Sequence, residues 1–494
     1  RLQYQWLRLL AGDDNAIFAV GDDDQSIYAF RGALARNMQE FAREFGVAKV
    51  IRLEQNYRSQ SNILEAANAL IRHNRARLGK NLWTDAGSGE PLELFEALND
   101  LEEADFVVDE VKALHREGLR LSEIALLYRS NAQSRVLEHA LFSAGVPYRV
   151  YGGLRFFERQ EVKHTLAYLR LVADPNDEGA FLRVVNFPAR GIGARTLEQL
   201  QDLAREKGVS LWQAALAKVG ARAQDSKRGV EGFVRLIETM RAESAGLPLP
   251  EMMEHVVEAS GLRAFYRTGR DGADRLANLD ELVNAATLFT AEPRDEGMDP
   301  LVAFIAHAAL EAGEHEAPEG GDALQLMTVH AAKGLEFRTV FISGLEEGLF
   351  PHENSLSEPN GVEEERRLMY VALTRARERL YLSYAQSRML HGQTRYGIAS
   401  RFLIEIPGAL VKRINVATPV APRFDPDFPK PQRLREPAAA GNGFRIGENV
   451  FHAKFGAGVI VNCEGRGEQA RVQVNFRDSG IKWLALEYAK LSRA

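Results

Sequence analysis

Short, uniformly apolar runs alternate along the chain with longer stretches in which apolar residues return every third or fourth position. Ala16 to Val20 is a compact apolar run that ends at Gly21. Lys49 to Leu53, Ile124 to Tyr128 and Val146 to Tyr151 repeat the form, the last closed by Gly152-Gly153. Runs without polar alternation are the pattern of strands buried on both faces of a parallel sheet. With helical stretches between them, they predict an α/β sheet. From about 157 to 314 strand signals nearly vanish and helical periodicity dominates. Ala323 to Val329 and Thr339 to Ser343 then restore buried strands. An amphipathic stretch over Glu363 to Thr374 and a strand over Arg379 to Tyr384 come next. The simplest organisation is one α/β domain interrupted by a mostly helical insertion.

Residues 411–443 are rich in Pro, Ala and Arg without steady periodicity and read as a linker. Beyond them, short strands are broken by glycines: Asn449 to His452, Gly458 to Val461, Ala470 to Phe476 and Ile481 to Leu484. That spacing predicts a small β-barrel. At the other end, Gln3 to Leu10 reads as the middle of a helix with no cap before it, so a cut inside a domain is expected there.

Composition narrows the class. The 494 residues suffice for several domains of about 100–200 residues each. With 45% hydrophobic and 26% charged residues the chain can bury several cores. No apolar run approaches the roughly 18 residues of a membrane span, and no secretory signal opens the chain. The single cysteine, Cys463, excludes an intrachain disulfide and a cysteine-built zinc site, and fits a reducing, cytoplasmic setting. A net charge of -6 gives no bulk argument for nucleic acid, so any DNA path has to be a local groove.

Four constellations carry chemistry. The first is Val20-Gly21-Asp22-Asp23-Asp24-Gln25-Ser26-Ile27-Tyr28-Ala29-Phe30-Arg31-Gly32. A strand here would deliver carboxylates, an amide, aromatics and an arginine to the sheet edge at which open α/β folds bind ligands. Gln25 suits orienting a water or touching a phosphate oxygen, as a glutamine does in GTPases. Tyr28 and Phe30 offer faces to bases, and stacking is worth about 1–3 kcal/mol per base. The plain alternative is a turn with solvated acids and two core aromatics. The second, Leu53-Glu54-Gln55-Asn56-Tyr57-Arg58-Ser59, opens a helix with Ser59 or Ser61 as its cap. Tyr57 has a ring for a purine and Arg58 a rigid fork for phosphate, although such a pair at a helix start is also an ordinary structural feature. The third, Thr328-Val329-His330-Ala331-Ala332-Lys333-Gly334-Leu335-Glu336-Phe337, gathers His, Lys and Glu around one glycine. Its alternative is a loop with a satisfied histidine and a surface ion pair. His330 has no partners at metal-ligand spacing, and no metal site is expected. The fourth runs from Glu363 to Ala376, with acids early in a helix and Arg375 after its apolar run, where an arginine can project across a domain boundary.

In this order and at these separations, the strings GDDDQSIYAFRGA, LEQNYRS, TVHAAKGLEF and EEERRLMYVALTRARERLYL resemble motifs III, IV, V and VI of the superfamily 1 DNA helicases of the UvrD/PcrA/Rep family. The resemblance covers nearly the whole chain. It implies RecA-like, P-loop NTPase-type parallel sheets with a mostly helical inserted subdomain and a small C-terminal SH3/Tudor-like β-barrel. Residues 1–51 would end the first motor domain, 52–156 and 315–410 would form the second, 157–314 the insertion and 444–494 the barrel. The implied activity is ATP-dependent, 3′-to-5′ movement on single-stranded DNA in repair or replication, with ATP and Mg2+ as cofactors. Gln25 would sense the γ-phosphate, and Arg58 and Arg375 would contact it from the second motor domain. Tyr57 would stack on adenine, with Glu336 near the nucleotide. Tyr28, Phe30, Arg31 and His330 would face the DNA. Phe30 stands where the family usually has tryptophan, which leaves a smaller stacking face. Pro188 to Thr196 resembles a helix-hairpin-helix turn whose Gly191 and Gly193 would approach a duplex phosphate; a Gly-rich helix connection is the equal alternative. The barrel implies RNA polymerase or repair proteins as partners, or a passive DNA-binding role. The implied location is cytoplasmic, at the nucleoid.

The chain has no G-x-x-x-x-G-K followed by Ser or Thr: Gly79-Lys80 precedes Asn81, and Asn74 stands at the first glycine position. The acidic motif II would end just before Arg1. The expectation is a fragment that does not hydrolyse ATP by itself. Two other readings are the motor of a RecB/AddA-like helicase–nuclease and a non-catalytic adaptor for DNA and polymerase. The first needs a C-terminal acid cluster that the barrel does not offer. The second has no use for the set Gln25, Arg58, Glu336 and Arg375.

Overall fold

The computed structural model describes residues 2–12, 17–29, 33, 37–47, 49–75, 77–220, 229–269, 271–291, 297–313, 321–390, 393–414, 444–464 and 470–493. The chain divides into two compact units. One is built from 1–129, 321–388 and 395–494, the other from 130–320 and 389–394.

The first unit holds a parallel sheet in the order Leu324–Thr328, Ile124–Tyr128, Phe337–Ile342, Ala376–Leu390, Leu92–Asn99, Val411–Arg413. Ile124–Tyr128 is buried at every position, as a strand with neighbours on both sides and cover on both faces must be. Leu126 faces Leu326 on one side and Phe341 on the other. Helix Ser61–Ile71 and helix Gly361–Leu373 share the core with this sheet through Ile63, Ala67, Leu70, Met369 and Leu373. The stretch read as amphipathic is therefore buried nearly throughout from Glu365 onward. Strand Leu92–Asn99 is hidden in the sequence, because Glu93 and Glu96 break its apolar run; Lys412 pairs with Glu93, and Gln386 donates to Glu96. Val411–Arg413, expected in the linker, pairs in register with Leu92–Leu94, and 415–443 lie outside the described residues.

Two expected strands do not form. Residues 17–20 and 49–53 pair with no neighbour among the described residues, and Phe18, Val20, Ile51 and Leu53 are exposed. A strand buried on both faces needs a partner on each side, and these runs have none within the described residues. The first run leads instead into a 3-10 turn, Asp23–Gln25, capped by the Asp22 carboxylate on Asp24 N.

A separate five-stranded antiparallel sheet, also in the first unit, runs Gly480–Ala485, Arg471–Phe476, Gly456–Glu464, Asn449–His452, Leu491–Arg493. Val450, Ile460, Val472, Val474 and Phe476 form its core. Gly458 is required there: a Cβ would lie 2.7 Å from Asn475 O and 2.8 Å from the Phe476 ring.

The second unit is mainly helical, with the short strand Tyr148–Val150. Helices Gln160–Ala173, Gly229–Ser244, Leu249–Ala259 and Gly272–Ala291 bury Tyr168, Phe233, Ile237, Met253 and Leu282 in one core.

In the first unit, Arg388 bridges two buried carboxylates, Glu103 and Glu346. Glu103 also accepts from Gly344 N and Ser383 Oγ, and Glu346 from Ala385 N. Removing one partner of such a set leaves uncompensated charge inside. Arg388→Ala should cost roughly 3–5 kcal/mol, read as a lower urea midpoint, and a second change of Glu346→Gln should return part of the loss.

Candidate functional site

The sequence from Glu54 to Gln60 makes a turn organised by one carboxamide. Asn56 Oδ1 accepts from Arg58 N at 2.8 Å and Ser59 N at 2.9 Å, the short side-chain bridge for which asparagine suits turns. Asn56 N donates to Trp83 O at 2.7 Å. Ser59 Oγ donates to Ala376 O at 2.6 Å and Gln60 N to Arg377 O at 3.1 Å, which fix the turn to the start of strand Ala376–Leu390. The expected serine cap is absent: helix Ser61–Ile71 has Gln60 at its N-cap, with no side-chain bond.

The turn forms one wall of a cavity of about 500 Å³. Asp22, Gln25, Tyr57, Arg58, Lys80, Glu336 and Arg377 line it. The Tyr57 ring is 84% exposed, and its hydroxyl donates to Gln55 Oε1 at 2.8 Å. Arg58 Nε donates to Glu336 Oε2 at 2.5 Å, and Nη1 reaches Thr374 O at 3.4 Å. The Arg58 guanidinium holds the Glu336 carboxyl below its ordinary range against a weaker effect of burial.

Arg375 lies directly behind, at the end of helix Gly361–Leu373, and is only 1% exposed. Its Nε donates to Val371 O, Nη1 to Leu335 O at 2.9 Å and Nη2 to Thr374 Oγ1. Burial, then the neighbouring Arg58, push its pKa down to about 10. It remains a cation at neutral pH. Two guanidinium groups thus stand close together, with Glu336 bound to one of them, an arrangement that favours an anion.

Gln25 joins the cavity from the other side. Its Nε2 donates to Asp22 Oδ2 at 2.6 Å, and its carbonyl accepts from Lys333 Nζ at 2.6 Å. The same ammonium lies 5.0 Å from the Tyr28 ring centroid. Burial, partly opposed by Asp22, lowers the Lys333 pKa. Sequence reasoning assigns Lys333 no role within its motif; the signal available is a lysine inside a tight loop between two buried strands.

The three aspartates are engaged by the chain itself. Asp22 pairs with Lys80, Arg77 grips both oxygens of Asp24 at 2.7 Å, and Asp23 Oδ2 accepts from Leu78 N at 2.7 Å. They could gather around a cation, but Lys80 and Arg77 already neutralise Asp22 and Asp24, and Asp23 serves a main-chain donor, so they do not fit Mg2+.

The remaining expected residues fall elsewhere. Tyr28 and His330 are partly buried and do not line the cavity. Phe30 and Arg31 lie outside the described residues. Gly191 and Gly193 are in the helical unit, before helix Ala194–Lys207. Gly191 has φ +79°, a conformation that glycine adopts without strain, and Gly193 is the helix N-cap. Asn186 Oδ1 accepts from Arg190 N and Ile192 N, so the loop is ordered by its own side chain.

Three family models match the chain: the UvrD-like helicase C-terminal domain over residues 51–387, the UvrD/REP helicase N-terminal domain over 1–46 and the PcrA/UvrD tudor domain over 446–492. DNA helicase II of Escherichia coli strain K12 is 50% identical over 495 residues, covering 99% of this chain and 68% of that protein. ATP-dependent DNA helicase PcrA of Bacillus subtilis strain 168 is 38% identical over 513 residues, covering 100% of this chain and 69% of that protein. ATP-dependent DNA helicase UvrD1 of Mycobacterium tuberculosis is 39% identical over 526 residues, covering 99% and 68%.

The hold of residues 22–25 on this cavity rests on buried charge. Asp24→Ala should strip Arg77 of its partner and cost roughly 3–5 kcal/mol of that anchoring. Hydrogen exchange is expected to quicken at Gln25, Ser26 and Leu78 while Leu126 in the sheet stays protected.

Proposed function

The chain belongs to the UvrD/Rep family of DNA helicases, and from that premise we propose that its cavity is one half of an ATP site whose occupancy drives movement along single-stranded DNA. The observation that carries this reading is the meeting of Arg58 and Arg375 beside Gln25, Tyr57 and Glu336. Charge develops on the γ-phosphoryl oxygens as the bond to the leaving group loosens, and arginines placed there stabilise it. Arg58 presents its fork at the cavity wall. Arg375 uses three of its five N–H groups within the chain, so two remain for a phosphate. Drawing it out of its enclosure couples its position to the nucleotide. The exposed Tyr57 ring supplies a face for adenine.

Gln25 is the sensor in this reading. Its carbonyl holds Lys333, whose ammonium also faces Tyr28. A phosphate that shifts Gln25 is therefore felt at Tyr28 and in the loop that carries His330. Tyr28, Phe30, Arg31 and His330 are proposed to contact single-stranded DNA, with 3′-to-5′ travel. Gly191 and Gly193 are proposed to bring backbone N–H groups to a duplex phosphate. Ile481 and Trp483 leave apolar surface exposed on one face of the edge strand Gly480–Ala485 of the C-terminal sheet, which supports a protein partner there, RNA polymerase or a repair protein.

Hydrolysis also needs a loop that cradles the phosphates and acids that hold Mg2+. No stretch of this sequence has the loop pattern, and Asp22 and Asp24 already pair with Lys80 and Arg77 while Asp23 accepts from Leu78 N. The 494-residue chain alone is therefore proposed to lack ATPase activity, and DNA-stimulated turnover by it would contradict that.

Joined to a phosphate-binding loop, the chain carrying Arg375→Ala should lose DNA-stimulated ATP turnover by roughly 10³–10⁵-fold while single-strand affinity in a fluorescence titration persists. Equal loss of both would remove the assignment. Tyr57→Ala in the same protein should raise the KM for ATP and leave kcat nearly unchanged, as the loss of uniform binding does.

A further inference from the structure

We propose that His139, His307 and Glu311 form a binding site for a divalent transition-metal ion of the zinc class, which staples together two distant segments of the helical unit. The proposal is independent of the nucleotide site, because all three residues belong to the second unit.

Helix Pro300–Gly313 carries His307 and Glu311 one turn apart, and residues four apart share a helix face. His139 comes from helix Ser134–Ser143, and 172 positions separate it from Glu311. One donor atom from each of the three lies within 4.8 Å of the others. His139 Nδ1 is 2.7 Å and His307 Nε2 2.8 Å from the same oxygen, Glu311 Oε1. The rings are held in place. They meet edge to face with centroids 5.6 Å apart, and Phe289 stacks on His307 at 5.2 Å.

Two imidazoles and one carboxylate are the ligands that zinc takes at about 2.0–2.2 Å, with a fourth position left for water. Donor atoms around a tetrahedral ion sit about 3.3 Å apart, so each nitrogen has to draw back from Oε1 by roughly half an ångström. Each ring must then present a lone pair at the nitrogen that now faces the carboxylate and keep its proton on the other nitrogen. Access is provided: the His139 and His307 side chains keep 26% and 28% of their surface, while Glu311 keeps 6%. Electrostatics favours a cation at this spot. The nearly enclosed Glu311 carboxylate places a negative charge there, and the buried carboxylate Glu138 already takes Arg159 at 3.7 Å. The nitrogen-rich set selects zinc, cobalt or nickel over magnesium or calcium.

An ion here would close a long loop and add its binding free energy to the folding of the unit. The test uses the whole chain, stripped with a chelator and titrated with ZnCl2 and with CoCl2. One Zn2+ per chain is expected, with a higher melting temperature and, for Co2+, the visible absorption of a low-coordinate site. His139→Ala and His307→Ala should each weaken Zn2+ binding by at least about tenfold, since even outer-shell partners are worth that much. His73→Ala, in the other unit, should bind as the parent does. If either ligand variant fails to fold, Glu311→Gln and the parent titration decide. No uptake by the stripped parent, or equal uptake by the ligand variants, would overturn the site. So would a lower melting temperature in the variants with no effect of Zn2+ on the parent, which would leave the trio as an ion pair.

Discussion

The cavity depends on a single constraint: two like-charged guanidinium groups are kept side by side, one of them almost wholly shielded from water. Like charges in a poorly solvated place repel, and the chain offsets this locally. Glu336 binds one of them, and main-chain carbonyls at Leu335, Val371 and Thr374 accept from both. Each compensating group lies on a loop or helix end that the parallel sheet positions. Helix Gly361–Leu373, buried nearly throughout in the core it shares with helix Ser61–Ile71 and the sheet, holds that terminus in place. The fold thus keeps positive charge concentrated at one wall of the cavity.

Much of the sheet was legible because strands enclosed on both faces leave an uninterrupted apolar signature. Ile124–Tyr128 and Leu324–Thr328 stand within a residue or two of where the pattern put them. The same signature misled at residues 17–20 and 49–53, since an apolar run records the need for neighbours and not their presence. Leu92–Asn99 hid behind Glu93 and Glu96, whose partners Lys412 and Gln386 come from strands hundreds of positions away. Pairings of that kind leave no mark in a local window.

The site shows the same division. Gln25, Tyr57, Arg58 and Glu336 stand out because unusual residue types cluster beside short apolar runs, and they share one cavity. Lys333 and Arg377 did not stand out, for a basic residue between strands reads as solvated until its surroundings are known. The enclosure of Arg375 was equally invisible: a lone arginine after an apolar run gives no sign of which way its side chain turns. The histidine pair 139 and 307 had no signal at all, being joined only through tertiary packing.

Asn56 borders the cavity while its side-chain oxygen serves two main-chain donors, and its own N–H holds Trp83 O. Tyr57 and Arg58 inherit their aim from that one amide. A shorter or isosteric acid side chain at this position would leave the sheet and its core intact, yet let both neighbours wander or tie the guanidinium to a new negative charge. Position 56 is therefore a place where sequence drift would disorder one wall of the cavity while every measure of folding looked normal.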